Sequence, residues 1–156
     1  MPGFSYYTDP TYKWRIAKPD GWTPRTDPAH PTMIFFDEPV VPRRTLGVDR
    51  ITAPNPDPAA AFKTEADAII RSTDSTRPGY KQVRIDPVPG LYKGAADWVY
   101  SYNTADGRMQ VCERGLVISN QLGYSIYWAT PADQWKQNAD NWNMISISFT
   151  PEPTAS

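Results

Sequence analysis

Few groups in this chain could carry chemistry. His30 is the only histidine and sits in "DPAHP", between prolines and without a second histidine to help hold a metal. Neither a G-x-S-x-G turn for a nucleophilic serine nor a glycine-rich phosphate loop occurs. Cys112 is the only cysteine, which excludes an intrachain disulfide and a two-cysteine metal site. Within "RMQVCERG" it reads as a small apolar residue buried in a strand. Carboxylate chemistry remains, because glycosidases need only two acids about 5–10 Å apart. Asp97 and Glu113, on the two arms of one hairpin, are the pair to consider. A solvated strand face, or an ion pair with Arg114, is the preferred account of them. The expectation is a chain with no catalytic residue, no metal and no cofactor, and a carboxylate-dependent glycosidase is a distant alternative.

Binding is the better prospect. In "GYSIYWATPADQWKQNADNWNMISISFTP", Tyr124, Ile126 and Trp128 alternate with Ser125 and Tyr127, and Ile145, Ile147 and Phe149 alternate with Ser146 and Ser148. If both runs are strands, period-two geometry sends Ser125, Tyr127, Ser146 and Ser148 to one face, opposite the apolar set. These four are candidate ligand-binding residues, with Arg43, Arg44 and Arg114 available to meet an anionic group. The competing structural reading is that a helix or the start of the chain simply covers these small side chains.

The elements that would position these residues follow from periodicity. "YKWRIA" alternates like a half-buried strand, and "KPDG" turns the chain into "WTPRT" as a hairpin. "TMIFFD" and "LGVDRIT" are further strands. "NPDPAAAFKTEADAIIRST" changes period: Asp57 caps a helix with Pro58 at its first position, and Phe62, Ala66, Ile69, Ile70 and Thr73 form its apolar stripe. "AADWVYSYNTADGRMQVCERGLVIS" is a long hairpin with Trp98, Tyr100 and Tyr102 on one face, and Gly115 marks a candidate bulge. Thr130 is placed as the cap of a helix over 131–142, with Trp135, Ala139 and Trp142 on its inner face. "NMISISF" then returns as a final strand parallel to the one before it.

Composition bounds the rest. Sixteen basic residues nearly cancel seventeen acidic ones, so no global field draws nucleic acid or an anionic membrane to the chain. The basic residues are scattered and offset by acids, and no nucleic-acid partner is expected. Aromatic residues make up 13% and prolines number seventeen, which suits a compact, turn-rich sheet protein. No apolar run approaches the ~20 residues that span a bilayer. Residues 1–150 read as one domain, and 151–156 as the start of a Pro/Thr/Ser linker or tail.

The order of segments carries a resemblance: strand–"PDGW"–strand, the helix opened by "NPDPAAAF", then "RPGYKQVRID", "AADWVY", "GYSIYWATPADQW" and "WNMISISF". Together they resemble the PsbP-like fold superfamily, which includes a yeast Ran-binding regulator and mycobacterial LpqN-type lipoproteins. Within it, the chain is most similar to the C-terminal extracytoplasmic domains of actinobacterial serine/threonine protein kinases and related membrane-anchored proteins. The resemblance implies an α+β fold, an α/β/α sandwich with a mostly antiparallel sheet flanked by helices. It also implies a non-catalytic sensor or binding module for a small ligand or a protein. Such a module would face the outside of the cell and meet the membrane only through a parent chain. A standalone cytoplasmic protein-binding regulator, with Met1 as its native start, is the alternative.

Overall fold

The computed structural model describes residues 3–40, 43–72 and 76–153. Its elements are β1 (Phe4–Thr8), β2 (Arg15–Pro19), β3 (Thr23–Asp27), β4 (His30–Asp37), β5 (Thr45–Ile51), α1 (Pro58–Arg71), β6 (Lys81–Pro87), β7 (Gly94–Thr104), β8 (Gly107–Ser119), β9 (Leu122–Pro131) and α2 (Ala139–Ser148). Seven strands form one antiparallel sheet in the order β3-β4-β5-β9-β8-β7-β6, and β1 pairs with β2 in a small ribbon. One helix lies on each face, so the fold is the α+β sandwich implied by the resemblance.

Alternation on β7, β8 and β9 supplies two cores from one sheet. Val99, Cys112, Tyr124, Ile126 and Trp128 point to the α2 side, where they meet Trp14, Ile16, Phe36, Leu46, Trp142, Ile145 and Phe149. Trp98, Tyr100, Val111 and Ala129 point the other way, under Phe62 and Ala66 of α1. Because both faces are buried, β7 reads as a nearly continuous buried run from Ala95 to Ser101.

Helix α1 begins as its sequence dictates, with the Asp57 carboxylate accepting from the Ala60 amide at 3.0 Å and Pro58 opening the first turn. Ile70, placed on the apolar stripe by spacing, is instead 65% exposed, and Thr73 lies outside the described residues. Gly115 sits in unbroken register between Ala96 and Ser125, and the bulge of β8 comes later, between Val117 and Ser119. Its missing side chain has another use: a Cβ there would stand 3.1 Å from the Phe62 ring, so the glycine lets α1 settle onto the sheet.

The turn at Pro19–Trp22 forms, with Gly21 at φ +81 and the Trp22 amide donating to the Pro19 carbonyl at 3.3 Å. It joins the two sheets, however, since β2 pairs with β1 and β3 with β4.

The largest departure from the sequence reading lies at the C-terminal end. Strand β9 runs on through Thr130 to Pro131, and the Thr130 hydroxyl contacts the Pro131 carbonyl at 3.1 Å rather than capping a helix. Two short 3-10 turns, Ala132–Gln134 and Lys136–Asn138, lead into α2, and the segment expected as a final strand is the helix itself. The physical reason is vacancy. β9 is already hydrogen-bonded to β5 and β8, so no parallel strand can be added beside it. Trp142, Ile145, Ser146 and Phe149 are buried at helical spacing, while Ile147 is 79% exposed. Beyond α2, Thr150 bridges Arg15 of β2 through reciprocal backbone bonds of 2.9 and 2.8 Å.

Candidate ligand-binding site

The two faces of the sheet are not covered equally. Helix α1 lies over β6, β7 and β8, which leaves the same face of β4, β5 and β9 open. One cross-strand row runs Arg25, Phe35, Gly47, Tyr127, Glu113, Trp98, and the next runs Met33, Asp49, Ser125, Gly115. In the first row Gly47 keeps the floor low, since a Cβ there would meet Met33 Cε at 3.2 Å and Tyr127 Cβ at 3.4 Å. The result is a concavity of about 360 Å³ lined by Arg25, His30, Met33, Phe35, Thr45, Arg77, Glu113 and Tyr127. Two smaller hollows share its floor. One of about 180 Å³ adds Asp49, Glu65 and Ser125, and one of about 210 Å³ adds Arg43, Tyr102 and Met109. Tyr127 belongs to all three.

The centre of this face is a polar relay. Arg77 Nε donates to the Tyr100 hydroxyl at 3.3 Å, and that hydroxyl donates to Glu113 Oε1 at 3.1 Å. Protein surrounds the Glu113 carboxylate except toward the mouth, and burial raises it to about 7, helped by Glu65 and Asp49 and opposed by Arg77 and the Tyr100 hydrogen bond. Glu65 is itself raised, first by burial and then by Asp49. Burial acts against the charge of Arg77, yet Tyr100, Glu113 and Tyr127 together hold it above the ordinary arginine value. The Tyr127 phenol is raised, chiefly by burial. At neutral pH this face therefore offers a cation, a carboxyl group poised between its two forms and two phenols.

Of the residues singled out by sequence, Ser125, Tyr127 and Arg43 meet on this face. The others do not join them. Ser146 and Ser148 are on α2, across the sheet, where the Ser146 hydroxyl donates to the Asn143 carbonyl at 3.1 Å. Ser148 donates to the Ile145 carbonyl at 2.6 Å and accepts from the Ala17 amide at 2.9 Å, so it ties the helix to β2. Arg44, also on the α2 side, bonds Glu38 at 2.6 Å and Asn138 at 2.9 Å. Arg114 holds Asp97 through two bonds of 2.8 and 2.9 Å beneath the Trp142 ring. These last four stabilise packing.

Asp97 and Glu113 lie on opposite faces, since Asp97 pairs in register with Arg114 while Glu113 pairs with Trp98. They cannot converge on one glycosidic bond. His30 is the first residue of β4 rather than a loop residue, and its Nδ1 stands 3.4 Å from Asp27. Cys112 is fully buried on the α2 side, and burial pushes its thiol up. Among the described residues no three His, Cys, Asp or Glu side chains come together as a metal site. Sequence reasoning missed Arg77, which precedes β6 in "RPGY" and whose place at the site no local periodicity encodes. The distant option that paired Glu113 with Asp97 fails, while the ion pair with Arg114 forms at Asp97, and the alternation of Glu113 with Cys112 and Arg114 assigns it to the Tyr127 side.

A family model described as "Serine/threonine kinase C-terminal domain" matches residues 7–151. The chain belongs to this family. This kinase C-terminal domain has the fold of several solved structures. The solution structure of cyanobacterial PsbP (CyanoP) from Synechocystis sp. PCC 6803 superposes with a TM-score of 0.70 at 14% identity, covering 97% of this chain and 94% of that one. The Saccharomyces cerevisiae Ran-binding protein Mog1p gives 0.62 at 11% identity, covering 95% of each chain. LpqN, involved in cell envelope biogenesis of Mycobacterium tuberculosis, gives 0.57 at 18% identity, covering 98% of this chain and 87% of that one. At these identities the likeness establishes the PsbP/Mog1-like fold. No curated protein matches the sequence of this kinase C-terminal domain. Among the described residues no helix is long and apolar enough to cross a membrane.

Proposed function

We propose that this domain is a non-catalytic extracytoplasmic sensor that binds a ligand on the open α1-side face, as one module of a membrane-anchored, receptor-like serine/threonine kinase. The observation that carries the binding reading is the concavity itself, where β4, β5 and β9 are left uncovered and Tyr127, Glu113 and Arg77 meet over about 360 Å³, within the usual range of small-ligand sites. The kinase family match over residues 7–151 supports a role beside a catalytic domain that lies elsewhere in the parent chain. Residues 1–150 act as one domain in this reading, and Glu152 just beyond is tied back to it by Arg50 through bonds of 2.7 and 2.8 Å.

The envelope-associated neighbour LpqN supports the outside location, and the Ran-binding neighbour Mog1p supports a protein partner as the second reading. Protease added to intact cells that express the full-length protein tests the first. An extracytoplasmic domain is digested while the kinase domain survives, and protection of this domain until the cells are lysed would reject the assignment. The coding sequence of the parent supplies a second check, since the reading requires a kinase domain and an apolar span of ~20 residues.

A further inference from the structure

The open face is polarised along its length. At the end reached by Ser125, Asp49 and Glu65 line one hollow, and Glu113 stands at its border with the next and lines both. Past Tyr127, Arg25, His30 and Arg77 line the adjoining one, and Met33 and Tyr127 form the floor of both. These charges already have partners: Arg25 pairs with Asp37 at 2.5 Å, His30 Nδ1 stands 3.4 Å from Asp27, Arg77 donates to the Tyr100 hydroxyl at 3.3 Å, and Asp49 accepts from the Thr32 hydroxyl at 2.5 Å, so a ligand would add to these contacts. The acidic end retains mutual repulsion, with Glu65 and Asp49 both acting against the charge on Glu113. A purely anionic ligand would add to that repulsion, and a purely cationic one would be opposed by Arg77. The many charged and phenolic groups disfavour an acyl chain, which could not hydrogen-bond to any of them.

From this charge complementarity we infer that the concavity takes a small zwitterion, an amino acid or a dipeptide. Its ammonium group lies toward Glu113 and Glu65, its carboxylate toward Arg77 and His30, and an apolar side chain lies against Met33 and Phe35. The size agrees, because about 360 Å³ sits at the lower end of small-molecule sites. The ammonium would relieve the crowding of carboxylates, and the carboxylate would gain charge-assisted hydrogen bonds. This inference rests on the reading of this face as the ligand surface, and it adds the chemistry of what binds there.

The test is an amide-shift titration of the 156-residue chain with the dipeptide Gly-Phe, its N-acetyl form and its C-terminal amide, with maltose and octanoate as neutral and purely anionic probes. Gly-Phe should move the amides of Met33, Glu113, Ser125 and Tyr127, and each capped form should bind at least about 10-fold more weakly, the scale of one lost charge-assisted contact. Glu113→Gln should weaken Gly-Phe, and so should Glu65→Gln, with the fold of each variant checked by the amides of the α2-side core. Capped forms that bind within about 2-fold of Gly-Phe, no shift up to about 10 mM, or unchanged affinity in Glu65→Gln would each overturn the inference. If maltose or octanoate moves these four amides while the dipeptides do not, the zwitterion is rejected and the ligand face stands. If Gly-Phe perturbs only residues on the α2 side, both are rejected.

Discussion

Tyr127 of β9 and Glu113 of β8 stand directly opposite each other in the sheet, on a row that α1 covers only at its Trp98 end. Their neighbours in that row are Gly47 and Trp98, so one side of the pair is open and the other is roofed by Phe62. Tyr127→Ala should therefore abolish ligand binding at this face while leaving the α2-side core intact. Amide shifts of Trp22 and Trp128, stacked 5.7 Å apart on the other side, check that the fold survives.

Glu113 makes stability depend on pH in a definite direction. Its folded value of about 7 lies above the ordinary glutamate value of 4.5, so the native state binds more protons than the unfolded chain between these limits. Its contribution is fully present below the unfolded value and is lost as pH rises through 7. Glu113→Gln should then match the wild type near pH 5 and exceed it at pH 8 by about 1–3 kcal/mol in urea unfolding. Glu38 and Glu152, both lowered chiefly by hydrogen bonds to arginine, act in the opposite sense in acid but cancel in this comparison.

Removing the Tyr100 hydroxyl breaks the relay between Arg77 and Glu113 at its centre. Tyr100→Phe should cost about 1–3 kcal/mol, because partly buried charged groups on both sides lose a partner. It should also raise Glu113 further, since the Tyr100 hydrogen bond is one of the influences that lower it. Carboxyl carbon chemical shifts followed against pH would read that displacement directly.

The C-terminal helix is tested by its own pattern. With Ile147 79% exposed and Ile145 fully buried, Ile147→Glu should cost under about 0.5 kcal/mol and Ile145→Ala about 2–5 kcal/mol. A strand with both isoleucines inward would make the first substitution as damaging as the second. Trp98→Ala and Trp142→Ala, both in the core, should each cost about 3–5 kcal/mol by thermal or urea unfolding.

On the α2 side, Arg114→Met leaves Asp97 with only 4% exposure and without its bidentate partner, 3.9 Å from Arg84. A loss of about 3–5 kcal/mol is expected, with partial recovery in the double variant Arg114→Met/Asp97→Leu. Equal stability in the single variant would show that Arg84 alone compensates the carboxylate.

Much of this architecture was legible because local signals were unambiguous. Asp57 with Pro58 fixed the start of α1, and the alternation of Trp98, Tyr100 and Tyr102 fixed one face of β7. "NMISISF" was misread because its apolar residues satisfy two periods at once, with 145, 147 and 149 matching a strand and 142, 145 and 149 matching a helix. Only the occupancy of both edges of β9, a property of the assembled sheet, decides between them. The same error carried Ser146 and Ser148 into the candidate site. Ser125 and Tyr127 were placed on one face by the period of a single strand, and that needs no tertiary information. Arg77 could not be found this way, because it lies outside any strand or helix and no period assigns it a face.

The most direct test of the central claim is protein-observed NMR with a fragment library, recorded on the wild type and on Tyr127→Ala. The account predicts saturable shifts at Met33, Gly47, Glu113, Ser125 and Tyr127 that vanish in the variant. Shifts gathered instead at Asp9, Tyr12, Trp14 and Ile34, which line a separate hollow of about 300 Å³ on the α2 side, would contradict it.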